Sequence, residues 1–162
     1  MTESREGLAW PAGPIEALYD EVRRVARTTT PALPPPTPAV ACVLWRGDPS
    51  GAAIEVFLVQ RAYTNPFLGG FWGFPGGRVE PSDRDAVAAC AREVREELAI
   101  ALPEDESAYV PAGRFVTPVF SPLRFDAQYF LVKAPAGAEP DHRASREHMA
   151  GQWIAPDAFP GT

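Results

Sequence analysis

The stretch that decides the fold is FPGGRVEPSDRDAVAACAREVREELAI, residues 74–100, in which a glycine-rich loop leads into an amphipathic segment. This spacing predicts a strong internal helix over residues 84–98, because side chains placed at about 100° per residue fall on two separate faces. Ser82 followed by Asp85 is a capping-box pattern, and Asp83 suits the positive end of the helix dipole. The face expected to contact the core carries Val87, Cys90, Ala91, Val94 and Leu98.

The other face of the helix carries three carboxylates, Glu93, Glu96 and Glu97, at positions i, i+3 and i+4. One interpretation is a solvated acidic face relieved by neighbouring arginines, which is the commoner reason for such a pattern. The other is a site for Mg²⁺ or Mn²⁺, since these hard cations bind carboxylate oxygens and keep waters for a phosphate substrate. The adjacent Gly76 and Gly77 favour the second interpretation, because they let the backbone approach a ligand closely.

Taken together, the loop and the helix resemble the Nudix box, whose pattern is Gly, five residues, Glu, seven residues and then Arg-Glu-apolar-any-Glu-Glu-any-Gly-apolar. Gly77 stands at the first position, Asp83 at the first Glu, and residues 92–97 (REVREE) match the central run. The sequence departs in three places: Asp replaces the first Glu, eight residues rather than seven precede Arg92, and Ala99 replaces the closing Gly. We expect the additional residue to be absorbed at the helix entry. Ala99 predicts a different helix exit, because a left-handed cap is free of steric cost only for Gly.

The resemblance implies an α+β fold, a Nudix-like α/β/α sandwich around a mixed sheet. It also implies hydrolysis of a diphosphate that is linked to another moiety, with Mg²⁺ or Mn²⁺ as cofactor. The metal ligands implied are Glu93, Glu96 and Glu97, assisted by the carbonyl of Gly76 or Gly77.

The catalytic residues implied by the resemblance are Glu96, Glu97 and Arg92. Arg92 is expected to orient a glutamate through an ion pair. A carboxylate near the attacking water serves as the general base in such a reaction. Either Glu96 or Glu97 fills that role, or a loop residue does, for which Glu147 and Asp126 are candidates; a solvated surface charge is the alternative for those two.

On the substrate side, the lead-in at residues 74–77 and the long spacing before the helical core look most like the coenzyme A diphosphatase branch of the family and its bacterial relatives. Residues 58–62 (LVQRA) and Gly70 partly match the additional motif of that branch, although Pro66 stands where a further Arg is expected. Aromatic side chains near the loop and on the later strands either stack on a base or belong to the core. Alternation places Phe125 and Tyr129 on one face of their strand and Phe130 on the other. The predicted substrate contacts are Arg61, Phe74, Gly76 and Tyr129.

Outside residues 74–100, the sequence pattern is typical of β-strands, with one amphipathic helix near the start of the chain. That helix is predicted over residues 14–27 and is followed by TTTPALPPPTPA at residues 28–39, where five prolines favour an extended connector. We therefore expect an N-terminal helix and linker over 1–38 and a Nudix domain over 39–162. A closing helix after the last strand is either absent or part of a longer gene product. Strands are predicted over residues 39–46, 52–61, 108–120, 124–134 and 151–156, with a hairpin between the first two and a loop over 135–149.

Composition limits the functions that this chain can have. The net charge of -6 and the pI near 4.9 argue against a nucleic-acid polymer as partner. They allow a small phosphorylated substrate, because metal ions can supply the positive charge. The resemblance implies that this small molecule is a nucleoside diphosphate derivative. No apolar run is long enough for a membrane span, and the start of the sequence lacks the features of a secretory signal, so we expect a cytoplasmic protein. Cys42 and Cys90 are expected to be buried free thiols. Trp153 is interpreted as structural, and His142 and His148 as surface residues.

Two classes of function remain. The first is a cytosolic metal-dependent hydrolase that acts on a nucleoside diphosphate derivative, with coenzyme A as one candidate. The second is a binding or regulatory module that keeps the fold without turnover. The intact Glu96 and Glu97 favour the enzyme. Both a monomer and a homodimer are consistent with the sequence.

Overall fold

The computed structural model describes Asp20 and residues 35–50, 53–119, 121 and 123–158. The predicted helix over 14–27 and the connector up to residue 34 lie outside these residues, apart from Asp20. The described strands are β1 (Thr37–Arg46), β2 (Glu55–Arg61), β3 (Trp72–Gly73), β4 (Tyr109–Val116), β5 (Phe125–Lys133) and β6 (His148–Ile154), and the helix among them is α1 (Ala86–Leu98). Short 3₁₀ turns occupy Glu106–Ala108, His142–Ala144 and Pro156–Ala158.

The strands form one mixed sheet in the order β3-β2-β1-β5-β4, with β6 paired to β2. β1 and β5 are parallel, from Thr37 opposite Phe125 to Trp45 opposite Lys133. All other strand pairs are antiparallel. The predicted hairpin between the first two strands is confirmed, with Trp45 opposite Val56. The mixed sheet is therefore built around a parallel pair at its centre.

The glycine-rich loop is fixed to the sheet by hydrogen bonds to β1. The amide of Val40 donates to the carbonyl oxygen of Gly77 at 2.9 Å, and the amide of Cys42 donates to that of Pro75 at 2.8 Å. β1 also carries residues of the core, so the loop is held directly beside a buried strand. This attachment gives the loop a defined position relative to α1, which packs on the same strand.

Hydrophobic residues lie on both faces of the sheet, as strand alternation requires. On one face, α1 buries Cys90, Val94 and Leu98 as predicted, while Val87 and Ala91 pack against this cluster in a partly buried state. The opposite face carries a second cluster made of Val56, Leu58 and Ile154, with Trp45, Trp72 and Phe74 packed against it.

The two ends of α1 differ from the prediction. Asp85 is the N-cap, because its side chain accepts a hydrogen bond from the amide of Ala88 at 2.8 Å, so the cap is not Ser82. At the other end Ala99 adopts the left-handed conformation with φ of 56°. The expected change of exit geometry was therefore wrong: the chain keeps the left-handed exit and accepts a steric cost of roughly 1 kcal/mol.

Several strand bounds also differ. β1 begins at Thr37, two residues before the prediction, and β4 ends at Val116 instead of residue 120. β6 begins at His148 rather than at residue 151, so the end of the predicted loop over 135–149 belongs to the sheet. Among the described residues, no helix combines the length and the apolar character that crossing a membrane requires.

Candidate active site

Arg92 ties α1 to the loop that precedes it. Its Nε and Nη2 atoms each donate to one oxygen of Asp83 at 2.9 Å, and Nη2 also donates to the carbonyl oxygen of Arg78 at 2.9 Å. The Arg92 and Asp83 side chains are only 15% and 5% exposed. The guanidinium hydrogen bond is the main reason that the pKa of Asp83 lies below its ordinary value. Asp83 thus takes the place of the first Glu of the pattern and anchors Arg92 despite the extra residue.

Arg92 also contacts the glutamate face of its own helix. Its Nη1 atom lies 3.0 Å from Oε1 of Glu93 and 3.3 Å from Oε2 of Glu96. The Glu93 side chain is 14% exposed, whereas that of Glu96 is 58% exposed. Arg92 therefore restrains the orientation of Glu93, as the resemblance implies, and holds Glu96 at the solvent edge.

Glu97 is the most enclosed of the three glutamates. Its Oε2 atom accepts a hydrogen bond from the amide of Gly76 at 2.8 Å. Loss of hydration on burial is the largest influence on this carboxyl, and together with the nearby charge of Glu93 it raises the pKa of Glu97 to about 8. Burial likewise raises the pKa of Glu93, with Arg92 opposing the effect. Two carboxyl groups in which ionisation is unfavourable therefore lie close together beside the loop.

Both glycines of the loop are required by this arrangement. Gly76 has a φ of 147°, and a Cβ atom there would lie 2.2 Å from the carbonyl oxygen of Val40. A Cβ atom on Gly77 would lie 2.5 Å from Oε1 of Glu93. The backbone is therefore packed directly against the glutamates. The Gly77 oxygen already accepts the hydrogen bond from Val40, whereas the Gly76 oxygen accepts none from the described residues, so it is the freer carbonyl for an additional ligand.

A divalent cation, which the resemblance implies, fits these residues. Glu93 and Glu97 offer carboxylate oxygens that a cation would stabilise in the charged form, and hard cations bind such oxygens together with backbone carbonyls and water. Among the described residues, no three side chains of His, Cys, Asp or Glu are grouped so that they could hold a metal ion. The donor set in this arrangement is therefore two carboxylates and a carbonyl, with Glu96 turned towards Arg92.

A cavity of about 820 Å³ opens beside this cluster and is lined by the predicted substrate contacts Arg61, Phe74, Gly76 and Tyr129, together with Gly77 and Glu93. Phe125 and Tyr129 both face the cavity while Phe130 is buried in the core, as alternation predicts. The rings of Phe67 and Phe125 meet edge to face, with centroids 4.8 Å apart. The cavity is therefore lined both by a carboxylate, that of Glu93, and by several aromatic side chains.

The two loop candidates for the general base lie in different places. Glu147 lines the cavity. Asp126 is paired with Arg114 of the neighbouring strand through two hydrogen bonds, and it is not among the residues that line the cavity. Only Glu147 is therefore placed where it can act on a molecule in the cavity.

One residue at the site was missed from the sequence. The His148 side chain is only 3% exposed, and its Nε2 atom lies 3.5 Å from Oε1 of Glu97. Its interpretation as a surface residue is therefore wrong. The burial arises because β6 pairs His148 with Arg61 at the end of β2, a register that sequence alone does not supply. Trp153 has the structural role expected, with its ring 5.2 Å from that of Phe57.

The family assignment rests on this fold and on a direct match. The protein-family model of the NUDIX domain matches residues 35–162, so the chain belongs to the Nudix family. Its fold is accordingly the α+β Nudix-like fold expected from the sequence.

Individual relatives agree with this assignment. The chain is 41% identical to the mitochondrial coenzyme A diphosphatase NUDT8 of Homo sapiens over 54 residues, a match that covers 30% of this chain and 23% of that protein. It is similar in structure to a NUDIX hydrolase from Alicyclobacillus acidocaldarius, with a TM-score of 0.66 and 26% identity over 76% of this chain and 81% of the other. A MutT NUDIX hydrolase from Burkholderia pseudomallei gives a TM-score of 0.63 and 25% identity, covering 80% of this chain and 90% of the other.

Proposed function

We propose that this protein is a divalent-metal-dependent Nudix hydrolase that cleaves the diphosphate linkage of a nucleoside diphosphate derivative by attack of water on phosphorus. The observation that carries the proposal is the position of the Glu93 and Glu97 carboxyl groups against the Gly76–Gly77 loop. Glu93 and both glycines line a cavity that also has an aromatic wall. A nucleotide has the matching two-part chemistry, an anionic diphosphate and a flat base. The cavity volume of about 820 Å³ is also within the range of small-molecule sites.

In this proposal the residues of the chain have distinct tasks. Glu93 and Glu97 hold the ion, Arg92 keeps Glu93 in position, and the freer Gly76 carbonyl or that of Gly77 assists. Glu96, whose side chain is 58% exposed, would be the third carboxylate ligand that the resemblance implies. When bound, Mg²⁺ or Mn²⁺ neutralises phosphate charge and lowers the pKa of a coordinated water.

The base that takes the proton of the attacking water is Glu96, Glu97 or Glu147. Glu97 is enclosed and contacted at both oxygens, whereas Glu96 and Glu147 are exposed enough to exchange a proton with solvent. Single Gln variants distinguish them, because loss of a base lowers kcat with retained metal affinity, while loss of a ligand lowers the affinity itself.

For the substrate, we propose coenzyme A as the first candidate, supported by the 54-residue match to a coenzyme A diphosphatase. Arg61 lines the cavity and supplies a cation for a substrate phosphate. Phe74 and Tyr129, whose ring centroids are 6.3 Å apart and nearly perpendicular, supply apolar surface for a base.

The experiment is product analysis by mass spectrometry after incubation with Mg²⁺ or Mn²⁺ and a panel of coenzyme A, dinucleoside polyphosphates, nucleotide sugars, NADH and nucleoside triphosphates. We expect cleavage of at least one member, abolished by EDTA and by Glu97→Gln. Glu104→Gln, at an exposed residue outside the cavity lining, serves as the matched control and should retain full activity. Binding of a panel member without cleavage would instead identify the alternative, a Nudix-like binding or regulatory module.

We also propose that the independently folding domain begins just before β1. The amide of Thr37 donates to the carbonyl of Arg124, and the carbonyl of Pro38 accepts from the amide of Val79. A chain starting at residue 35 should therefore keep the full stability of the domain, whereas one starting at residue 39 should lose about 1 kcal/mol per hydrogen bond. Urea unfolding of the two truncations tests this boundary, and light scattering of the full chain decides between monomer and homodimer.

We infer a reducing compartment, for which the cytoplasm is the specific proposal. Cys42 and Cys90 are buried free thiols that contact each other, and the hydrogen bond between the two side chains, followed by burial, raises the pKa of Cys42. Thiols in such contact persist where disulfides are kept reduced. Imaging of a C-terminally tagged full-length chain in its own cells tests the location.

A further inference from the structure

His148 lies at the point where β6 meets the glutamates of α1. It is the first residue of β6 and pairs with Arg61, next to an irregularity of the β2–β6 register between Gln60 and Arg61. Its side chain is 3% exposed, although imidazoles are usually found at intermediate exposure. A polar ring in this position requires a partner, since an unpaired buried polar group costs free energy.

That partner is Glu97. Nε2 of His148 lies 3.5 Å from Oε1 of Glu97, while Oε2 of the same carboxyl accepts the Gly76 amide at 2.8 Å. The two oxygens are therefore approached from two different elements, β6 and the glycine loop. Nδ1 of His148 is buried and has no hydrogen-bond partner among the described residues.

The unpartnered nitrogen indicates which ring nitrogen carries the proton. A neutral imidazole has one N–H donor and one acceptor. With a cation bound, as the proposed function requires, Glu97 is an ionised carboxylate that only accepts. The proton of the imidazole then belongs on Nε2, which leaves Nδ1 as a lone pair without a donor to satisfy. A buried lone pair costs less than a buried N–H without an acceptor, because unpaired buried N–H groups are the rarer of the two in proteins.

We propose that His148 is a positioning residue that holds the Glu97 carboxylate between its Nε2–H and the Gly76 amide, and thereby fixes the oxygens that Glu97 presents to a divalent cation. The inference rests on the proposed function, because it assigns Glu97 to the metal. Groups that orient a metal ligand from outside the coordination shell set the affinity for the ion. His148 itself touches neither the substrate nor the reacting atoms in this proposal.

The test compares two substitutions at His148 by Mn²⁺ binding, measured through the electron paramagnetic resonance signal of free Mn²⁺. His148→Gln places an amide N–H close to the position of Nε2, whereas His148→Leu fills space without a donor. We expect His148→Leu to weaken Mn²⁺ binding by about 10- to 100-fold, with kcat lowered more than KM is raised, and His148→Gln to recover most of the affinity. His142→Leu removes the other histidine and should leave the affinity at the wild-type value.

A merely structural role gives a different result. In that case His148→Leu and His148→Gln lower the unfolding temperature in EDTA to a similar extent. Their Mn²⁺ affinity is then either unchanged in both variants or lowered equally in both. Either outcome overturns the proposal. Nitrogen-15 NMR of the wild-type protein loaded with Mg²⁺ gives an answer even where a variant fails to fold. Protonation of Nε2 supports the proposal, and protonation of Nδ1 overturns it. If the wild-type chain binds no Mn²⁺, the proposed function itself fails; if it binds Mn²⁺ and His148→Leu binds equally well, only the role of His148 fails.

Discussion

Replacing Glu97 by glutamine should make the metal-free protein more stable above neutral pH while removing its response to Mg²⁺. Glutamine has nearly the same shape as glutamate and can still accept the hydrogen bond from Gly76 through its carbonyl oxygen. It carries no charge, so the unfavourable ionisation of a buried carboxyl disappears. The substitution thus separates the cost of burying this group from the benefit of binding a cation.

The size of the effect follows from the raised pKa. A rise from 4.5 to about 8 corresponds to on the order of 5 kcal/mol at about 1.4 kcal/mol per pKa unit. For a carboxyl with a raised pKa in the folded state, the stabilising contribution is fully present below the unfolded pKa and is lost as the pH rises towards the folded one. His148, whose pKa is lower in the folded state, makes the free energy of unfolding rise with pH, but only below its ordinary pKa of 6.5. Between about pH 6.5 and about pH 8, Glu97 should therefore lower the free energy of unfolding by about 2 kcal/mol.

The assay is urea unfolding in EDTA at several pH values across this interval, followed by circular dichroism. The wild-type free energy of unfolding should fall with pH, whereas that of Glu97→Gln should stay level and exceed the wild-type value at the alkaline end. Added Mg²⁺ should restore the wild type and leave the variant unchanged, because a ligand stabilises only the state that binds it. Glu104→Gln should follow the wild type throughout. A wild-type profile that is level or rises with pH, and that coincides with Glu97→Gln, would refute the assignment of a costly buried carboxyl.

Two further substitutions test the loop and its anchor. Gly77→Ala should weaken Mn²⁺ binding by about 10- to 100-fold, since its Cβ atom would lie 2.5 Å from Oε1 of Glu93, whereas Gly73→Ala, with nothing within 4 Å, should bind normally in a calorimetric titration. Asp83→Asn should lower the free energy of unfolding by about 2 kcal/mol, because it removes one charge of the pair with Arg92 while both groups stay enclosed. A urea midpoint equal to that of the wild type would contradict that role for Asp83.

Much of the site could be predicted because its information is local in sequence. The helical spacing that separates Val94 from Glu93 and Glu97 also fixes which side of α1 meets the core. The attachment of the glycine loop to β1, which is not next to β3 in the sheet, is visible only in the structure. The extra residue before Arg92 was expected to be absorbed at the helix entry, and the structure agrees, since Asp83 still reaches Arg92 before α1 begins.

What could not be predicted depends on contacts distant in sequence. His148 is 51 positions from Glu97 in the chain, and nothing in its neighbourhood indicates which strand β6 will join or in which register. A shift of one residue in that register would turn the ring to the other side of the sheet. The left-handed Ala99 was missed for a related reason, because the local cost of about 1 kcal/mol is small compared with the burial of Leu98 and Ile100 on either side of it.

The interleaving of core and site residues on α1 has a consequence for how this active site can vary. Val94 and Leu98 are fully buried next to Glu93 and Glu97, so any rotation or slide of α1 that adjusted the carboxylates would also expose core surface. Burying one such aliphatic side chain is worth about 1.5–3 kcal/mol, which makes the helix a rigid support. The parts that remain free to differ are those attached from outside, namely the loop at 76–77 and the start of β6. For that reason we expect metal affinity to be adjusted at His148 and Gly77 rather than on the helix itself.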